Sequence, residues 1–308
     1  MIHYVQRHII DVSKWDACIE ASSNSLVYAY SSYLDAMSDH WDALIMGDYE
    51  YVMPLTWRKK IGTRYLYPPP FTQQGGVFSR QVISPELVKE FLTLAATHFP
   101  FGDIYLNYAS PMAGLQKHCN YILPLNTAYT QLTKGYKKDL QNNLKIADRH
   151  NLNYASGTNP LEVTKLFKNR YASQIGSIDA NGFTRFENLI LGANRYYHSI
   201  VRLVTSGANE LLAAALLVVS GKRLYLIESY VSDDGRKMSA NHFLLDRLIH
   251  EHSSGDWLLD FEGSDIPGIA RFYANFGAVD QPYYFYHYNH LPLIQRKVKQ
   301  LVDKLKGR

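Results

Sequence analysis

Gly102-Asp103-Ile104-Tyr105-Leu106-Asn107-Tyr108 and Gly255-Asp256-Trp257-Leu258-Leu259-Asp260-Phe261 repeat one pattern: Gly-Asp, then mostly apolar residues, then an amide or acid and an aromatic. Each reads as a short buried strand. The stretches before them also correspond. In the second half, Ile200 to Val204 and Leu211 to Ser220 read as strands joined at Ser206-Gly207. Arg223 to Val231 follows the tight hairpin signal Gly221-Lys222. Ser232 to Lys237 reads as a polar loop, Met238 to Glu251 as a helix and Trp257 to Phe261 as a strand. In the first half, Trp41 to Met46 and Tyr49 to Trp57 read as a hairpin around Gly47-Asp48. Arg64 to Tyr67 is a strand stopped by Pro68-Pro69-Pro70, and Phe71 to Ser79 is an extended loop. A helix then opens on Ser84-Pro85-Glu86, with Ser at the N-cap and Pro at the first helical position, and runs to about His98. Asp103 to Tyr108 closes the set. The shared order predicts an internal duplication of a ββ-loop-α-β unit. The alternative is coincidence between two short strand patterns.

Working outward, Ile2 to Ile10 reads as a first strand, and Val12 to Ala21 and Ser31 to Ser38 as helices. Between the two copies, Lys134 to His150 places Leu140, Leu144 and Ala147 on one stripe, with Lys137, Lys138, Lys145 and Arg149 around it. This amphipathic basic helix is expected to open the second half. The boundary falls near Ala128, giving domains 1–128 and 129–308. Alternating strands and helices make the class mixed α/β.

The composition agrees with two folded domains. The chain has 308 residues, 46% hydrophobic and 19% charged, which supplies real cores and excludes a disordered, coiled-coil or collagen-like chain. Its 24 tyrosines suit sheets and ligand clefts alike. A net charge of +4 does not by itself imply a nucleic-acid partner, because such a footprint needs basic residues gathered on one face. Cys18 and Cys119 form no CxxC, which fits a reducing compartment. The start, MIHYVQRHIIDVSKWD, shows no apolar signal core. The longest apolar run, Leu211 to Val219, is about half of what spans a bilayer. A soluble, cytoplasmic protein is expected. No zinc-ligand spacing links the histidines, including His250, His252, His287 and His290, so no metal is expected. The absence of GxGxxG, Walker and GxSxG motifs points away from dinucleotide, nucleotide-triphosphate and hydrolase chemistry.

Three segments resemble a known family. The order of elements is that of the Gcn5-related N-acyltransferase fold, and two such units in tandem resemble the FemABX family of peptidoglycan aminoacyltransferases. Tyr136-Lys137-Lys138-Asp139-Leu140 with Asn143 to Ala147 is similar to the basic helix after that family's first domain. Met238 to Leu245 is similar to its donor-side helix, and Gly268 to Gly277 to its closing segment. The resemblance implies two tandem N-acyltransferase-like units with mixed central sheets, and transfer of an acyl or aminoacyl group from a thioester or ester to an amine. The acceptor it implies is a cell-wall precursor or another amino sugar or peptide. The chain departs from the pattern in three places. Tyr273 stands where the family often has Lys. The donor loop, Arg236-Lys237-Met238-Ser239-Ala240-Asn241, carries Ser239 where Gly is usual. No long heptad segment of the kind that holds tRNA is present. The acyl-CoA loop pattern is met only in part, so acyl-CoA stays open as the donor rather than fixed, and aminoacyl-tRNA, the one route to a nucleic-acid partner, is disfavoured.

Amine acylation needs a neutral amine, a polarised carbonyl and alignment of the two. Glu228 lies in an apolar strand, LYLIESY, where desolvation would make it a base. Alternation puts it with Leu224 and Leu226, opposite Tyr225, Ile227 and Ser229. The competing reading is an acid paired with a nearby Lys or Arg. Asp260 and Glu262 flank Phe261 on one face, as a proton-drawing pair or as helix-start acids. Asp260 joins Glu228 as a catalytic candidate, and Glu262 is placed with the substrate. Tyr273 would donate to the oxyanion. Tyr230, Arg236, Lys237, Ser239, Ala240 and Asn241 would hold the donor phosphates at a helix N-terminus. In the alternative, Asp233-Asp234-Gly235 is an ordinary turn and Arg236-Lys237 a solvated pair.

Thr72, Gln73 and Gln74, in PPPFTQQGGVFS, would meet the acceptor with Tyr136, or else form a rigid crossover. The C-terminal LPLIQRKVKQLVDKLKGR is an amphipathic basic helix that either touches anionic lipid weakly or docks on the protein. Two other functions stay open: a non-catalytic module binding a small molecule or peptide on the same fold, favoured by Ser239, Tyr273 and the Asp233-Asp234 pair, and an RNA-binding protein using the basic segments.

Overall fold

The computed structural model describes residues 1–60, 62–110, 112–171, 178–192, 194–263, 265–293 and 295–297. It divides into two compact units, residues 1–116 with 284–308 and residues 117–283. Among the described residues no helix is long and apolar enough to cross a membrane.

The first unit runs β1 (Ile2–Gln6), α1 (Val12–Ala21), α2 (Ser31–Met37), β2 (His40–Met46), β3 (Tyr51–Lys60), β4 (Thr63–Leu66), β5 (Phe78–Ser79), α3 (Pro85–His98) and β6 (Phe101–Leu106). β1 to β4 form an antiparallel meander, and β4 meets β6 in parallel at Leu66 and Gly102. The Asp11 side chain caps α1 through the Ser13 and Lys14 N–H groups, and Ser84 caps α3 through Leu87 N–H. The apolar stripe of α3, Val88, Phe91, Leu92 and Ala95, packs on Leu44, Met53, Leu55 and Leu106 of the sheet. Arg7–Ile9 turns as a 3₁₀ helix, so the first strand stops at Gln6, four residues short of Ile10.

Past β7 (Gln116–His118), the second unit holds β8 (Tyr121–Pro124), α4 (Tyr129–Leu132), α5 (Lys138–Ala147), β9 (Asn153–Gly157), α6 (Pro160–Tyr171) and α7 (Ala180–Leu191). There follow β10 (Tyr197–Thr205), β11 (Leu211–Ser220), β12 (Arg223–Val231), α8 (Asp233–Lys237), α9 (Ala240–His252), β13 (Leu258–Asp260), α10 (Pro267–Ala274) and β14 (Val279–Asp280). The strand order is β14-β8-β13-β12-β11-β10-β9. β11 is buried at nearly every position because both faces are covered: α9 packs on one and α6 on the other. Leu217, Leu226, Leu244, Leu248 and Ile249 meet on the α9 side. Burying one such side chain contributes roughly 1.5–3 kcal/mol.

The repeated unit is present. β3-β4-α3-β6 and β11-β12-α9-β13 share one order, and in each the last strand lies parallel to the second. The boundary differs from the expected Ala128. β8 lies before that residue in sequence, yet its hydrogen-bond partners are β13 and β14, so the second unit begins at Lys117. The C-terminal limit also differs. β15 (Tyr283–Asn289) pairs antiparallel with β6, so Tyr284 onward belongs to the first unit rather than to a second domain reaching residue 308. Each sheet therefore takes the strand beside its parallel pair from the chain that follows the other copy. The expected polar loop Ser232 to Lys237 contains α8, with Ser232 as its cap through Gly235 N–H. The amphipathic stripe expected at the C-terminus, at positions 294, 298, 301 and 305, lies outside the described residues.

Candidate active site

β12 and β13 pair only over Arg223–Leu258, Leu224–Leu259 and Tyr225–Asp260. β12 then continues to Val231, and among the described residues no strand adjoins it on that side. At the same point a β-bulge interrupts its pairing with β11: Leu217 opposes Leu226, but Leu216 opposes Glu228. Ile227 is the extra residue. Leu217 and Leu226 belong to the α9-side core, so Glu228, opposite Leu216, faces the other way. The alternation expected from the sequence placed Glu228 with Leu224 and Leu226. One inserted residue reverses the face, and the acid points at α6 instead.

There Glu228 is 1% exposed. The Thr164 hydroxyl donates to its Oε2 at 2.7 Å. Its Oε1 is buried and has no hydrogen-bond partner among the described residues. Loss of water raises its pKa from 4.5 to about 8. The Thr164 hydrogen bond acts against this rise, and the charge of Glu187 on α7 adds to it. No Lys or Arg forms an ion pair with Glu228 among the described residues, in contrast to the paired-acid reading.

The other candidates divide clearly. Asp260 is a structural anchor: its Oδ2 accepts from Arg223 Nε at 2.8 Å and Nη2 at 2.7 Å, and its Oδ1 accepts from Glu262 N–H at 2.9 Å. Arg223 also donates to Gln281 Oε1 at 3.0 Å and lies over the Tyr225 ring. Every oxygen of Asp260 has a donor, so it does not form the free pair with Glu262 that the sequence suggested. Glu262, half-buried with φ 60°, turns the chain out of β13. Tyr273 stacks on Phe261 with ring centroids 4.8 Å apart. Burial first, then the charge of Glu262 and the neighbouring Tyr171 and Asp260, pushes its phenol pKa up. Its hydroxyl thus stays protonated and able to donate.

Along the donor loop, Asp233 pairs with Arg170 and Asp234 with Lys237 at 2.8 Å. Arg236 is exposed and has no ion-pair partner among the described residues. Ser239 adopts a left-handed conformation at φ 55° and donates to Asn143 Oδ1 at 2.9 Å, so it does not cap α9. Asn241 Oδ1 accepts from Ser229 Oγ at 3.1 Å, which ties the start of α9 to β12. Ala240 is buried and Tyr230 half-buried. Tyr136 is displaced from its expected role. Its hydroxyl donates to buried Asp246 at 3.1 Å, beside Tyr129 at 2.6 Å on the same oxygen, so it serves the core.

Thr72, Gln73 and Gln74 lie in the first unit. Its parallel pair, β4 and β6, touches only at Leu66–Gly102, and the chain itself continues along β6. Gly75 N–H donates to Tyr105 O at 2.7 Å, and its carbonyl accepts from Asn107 N–H at 3.0 Å. Gln74 is buried, accepts from Tyr108 N–H at 3.2 Å and donates to Gln73 at 2.7 Å. Thr72 donates to Pro70 O at 3.3 Å. Thr72 and Gln74 border a cavity of about 40 Å³, room for water rather than for a sugar. This favours the rigid-crossover reading.

Thr164, Arg223 and Asn143 were not singled out from the sequence. Arg223 could have been paired with Asp260 from the parallel register of two strand starts. Thr164 carries no signal beyond its place in a helix. Among the described residues no cluster of His, Cys, Asp or Glu is placed to hold a metal ion.

Two mixed sheets, each with a parallel pair that opens beyond a few residues, define a tandem Gcn5-related N-acyltransferase fold of the FemABX type. The solved structure of FemX matches it with a TM-score of 0.64 at 12% identity, over 98% of this chain and 100% of that one. L-PGS from Bacillus licheniformis matches at 0.52 and 15% identity, over 97% and 98%. A tandem GNAT protein from the clavulanic acid biosynthesis pathway matches at 0.53 and 9% identity, over 95% and 99%. No protein-family profile and no curated protein matches the chain.

Proposed function

We propose that this protein transfers an acyl or aminoacyl group from a thioester or ester donor to an amine, with Glu228 as proton acceptor. The observation that carries the reading is the buried, half-satisfied Glu228 carboxyl beside the bulge, where β12 has parted from β13. A carboxyl held near pKa 8 is matched to taking a proton from an ammonium or from an amine under attack. The edge of β12 beyond Tyr225, which no strand adjoins among the described residues, offers backbone groups to a donor, and Arg236, with no ion-pair partner among them, offers charge to its phosphates. Tyr273, kept protonated, would donate to the oxyanion. Acyl-CoA fits this arrangement as donor. The acceptor class is an amine on a sugar or peptide, including cell-wall precursors, and a cytoplasmic location belongs to the same reading.

One observation favours a second function, a binding module without catalysis: both acids of the donor loop lie in the first turn of α8, where they oppose an anionic donor. Thermal shift with acetyl-CoA and longer acyl-CoA separates the two. Stabilisation that Arg236→Ala abolishes supports the transferase. No stabilisation by any acyl-CoA counts against it as an acyl-CoA enzyme.

A further inference from the structure

Val163 and Thr164 are the buried residues of α6, which packs on β11 and β12, where Leu216 and Glu228 oppose each other and are buried too. Thr164 is fully buried, and its hydroxyl meets Glu228 Oε2 at 2.7 Å. Among the described residues, the groups acting on Glu228 from the elements that cover this face are Thr164 from α6 and Glu187 from α7; the residue opposite on β11 is Leu216. Thr164 is thus the group that fixes the carboxyl. With Oε2 engaged by the hydroxyl, the carboxyl plane is held, and Oε1 is left buried with no hydrogen-bond partner among the described residues.

We infer that Thr164 is a positioning residue, which holds the Glu228 carboxyl so that Oε1 alone faces the proton to be taken. This rests on the proton-acceptor role proposed above for Glu228, and it adds a residue from α6 to that site. A hydrogen bond donated to a carboxylate strengthens when the group ionises, so Thr164 also brings the ionised form within reach of neutral pH. In the transfer step, one proton leaves the amine nitrogen for Oε1 and the nitrogen forms the new bond to the acyl carbon; the C–S or C–O bond of the donor breaks, its sulfur or oxygen leaves with the electron pair as thiolate or alkoxide, and that anion takes up a proton from the Glu228 carboxylic acid or from water.

Two variants and two readouts test this. Glu228 is titrated directly by NMR in protein carrying 13C-labelled glutamate, with Glu228→Gln to assign its resonance. In Thr164→Val, which keeps shape and loses the hydroxyl, the midpoint is expected to rise by about one to two pH units, the value of a hydrogen bond to a charged group. Thr164→Ser should restore it. An unmoved midpoint in Thr164→Val, or a serine variant that titrates like valine, overturns the inference. The NMR result is independent of turnover, so it stands or falls apart from the acyl-transfer reading. With acetyl-CoA and an amine as substrates, the acid limb of the rate profile should move in step with the midpoint. A midpoint that moves while the limb stays put retains Thr164 as the partner of Glu228 but removes Glu228 as the proton acceptor.

Discussion

Replacing Glu228 with Gln should make the protein more stable above neutral pH, and the gain should grow with pH. Unfolded, the carboxyl titrates near 4.5; folded, it titrates near 8, because its charged form has lost water. Between those values the folded chain holds a proton that the unfolded chain has released. Stability is therefore fully present below about 4.5 and falls as pH rises through about 8. The slope is at most about 1.4 kcal/mol per pH unit, and the whole window amounts to roughly 4–5 kcal/mol. Gln keeps an acceptor for the Thr164 hydroxyl and has no proton to lose. Urea unfolding of both proteins at half-unit steps from pH 5 to 9 gives the difference directly, and titrations common to both cancel. The difference should start near its pH 5 value and rise by about 4 kcal/mol by pH 8–9. A difference that stays flat across this range would refute the buried, unpaired state of the carboxyl.

Three further outcomes follow from the packing. Asp260→Ala should cost about 3–5 kcal/mol in urea unfolding, because it strands the buried Arg223 guanidinium; an apolar double replacement, Asp260→Leu with Arg223→Met, should recover most of that loss. Gly235→Ala should destabilise by about 1–3 kcal/mol, since a Cβ there would sit 2.2 Å from the Leu212 carbonyl oxygen; a loss under 0.5 kcal/mol would contradict the tight seat of α8 on β11. Ser84→Ala should lower stability by about 1 kcal/mol through loss of the α3 cap, with Ser84→Asp close to the parent protein.

Much of the fold could be read from local pattern. Ser84-Pro85-Glu86 starts α3 because its groups satisfy a helix start, whatever surrounds it. The apolar run Leu211 to Val219 gave β11, and the repeated Gly-Asp strands gave the duplication. What stayed hidden was non-local. The exchange of β8 and β15 depends on which sheet edge each strand finds, and Tyr283–Asn289 alternates equally well for either. The bulge at Ile227 leaves no mark in LYLIESY, because the inserted residue is as apolar as its neighbours. That single residue reversed the face assigned to Glu228.

The candidate site divides along the same line. Glu228 stood out because an acid amid apolar residues has a high desolvation cost wherever it points. Asp260 stood out by its alternation with Glu262 and Tyr136 by the family resemblance, and the structure gives both to buried networks through Arg223 and Asp246. Their partners lie 37 and 110 residues away, beyond any local pattern. Thr164, 64 residues from Glu228, was unreadable on the same ground.

The most direct test of the account is an amine-dependent acyl transfer assay. Acetyl-CoA is incubated with the protein and glucosamine or a short peptide, thiol release is followed from pH 6 to 9, and the acylated amine is identified by mass. The account predicts release that requires the amine, rises through about pH 8 and is lost in Glu228→Gln. Transfer that proceeds equally well in Glu228→Gln, or the absence of transfer to any amine from either thioester or aminoacyl-tRNA donors, would contradict it.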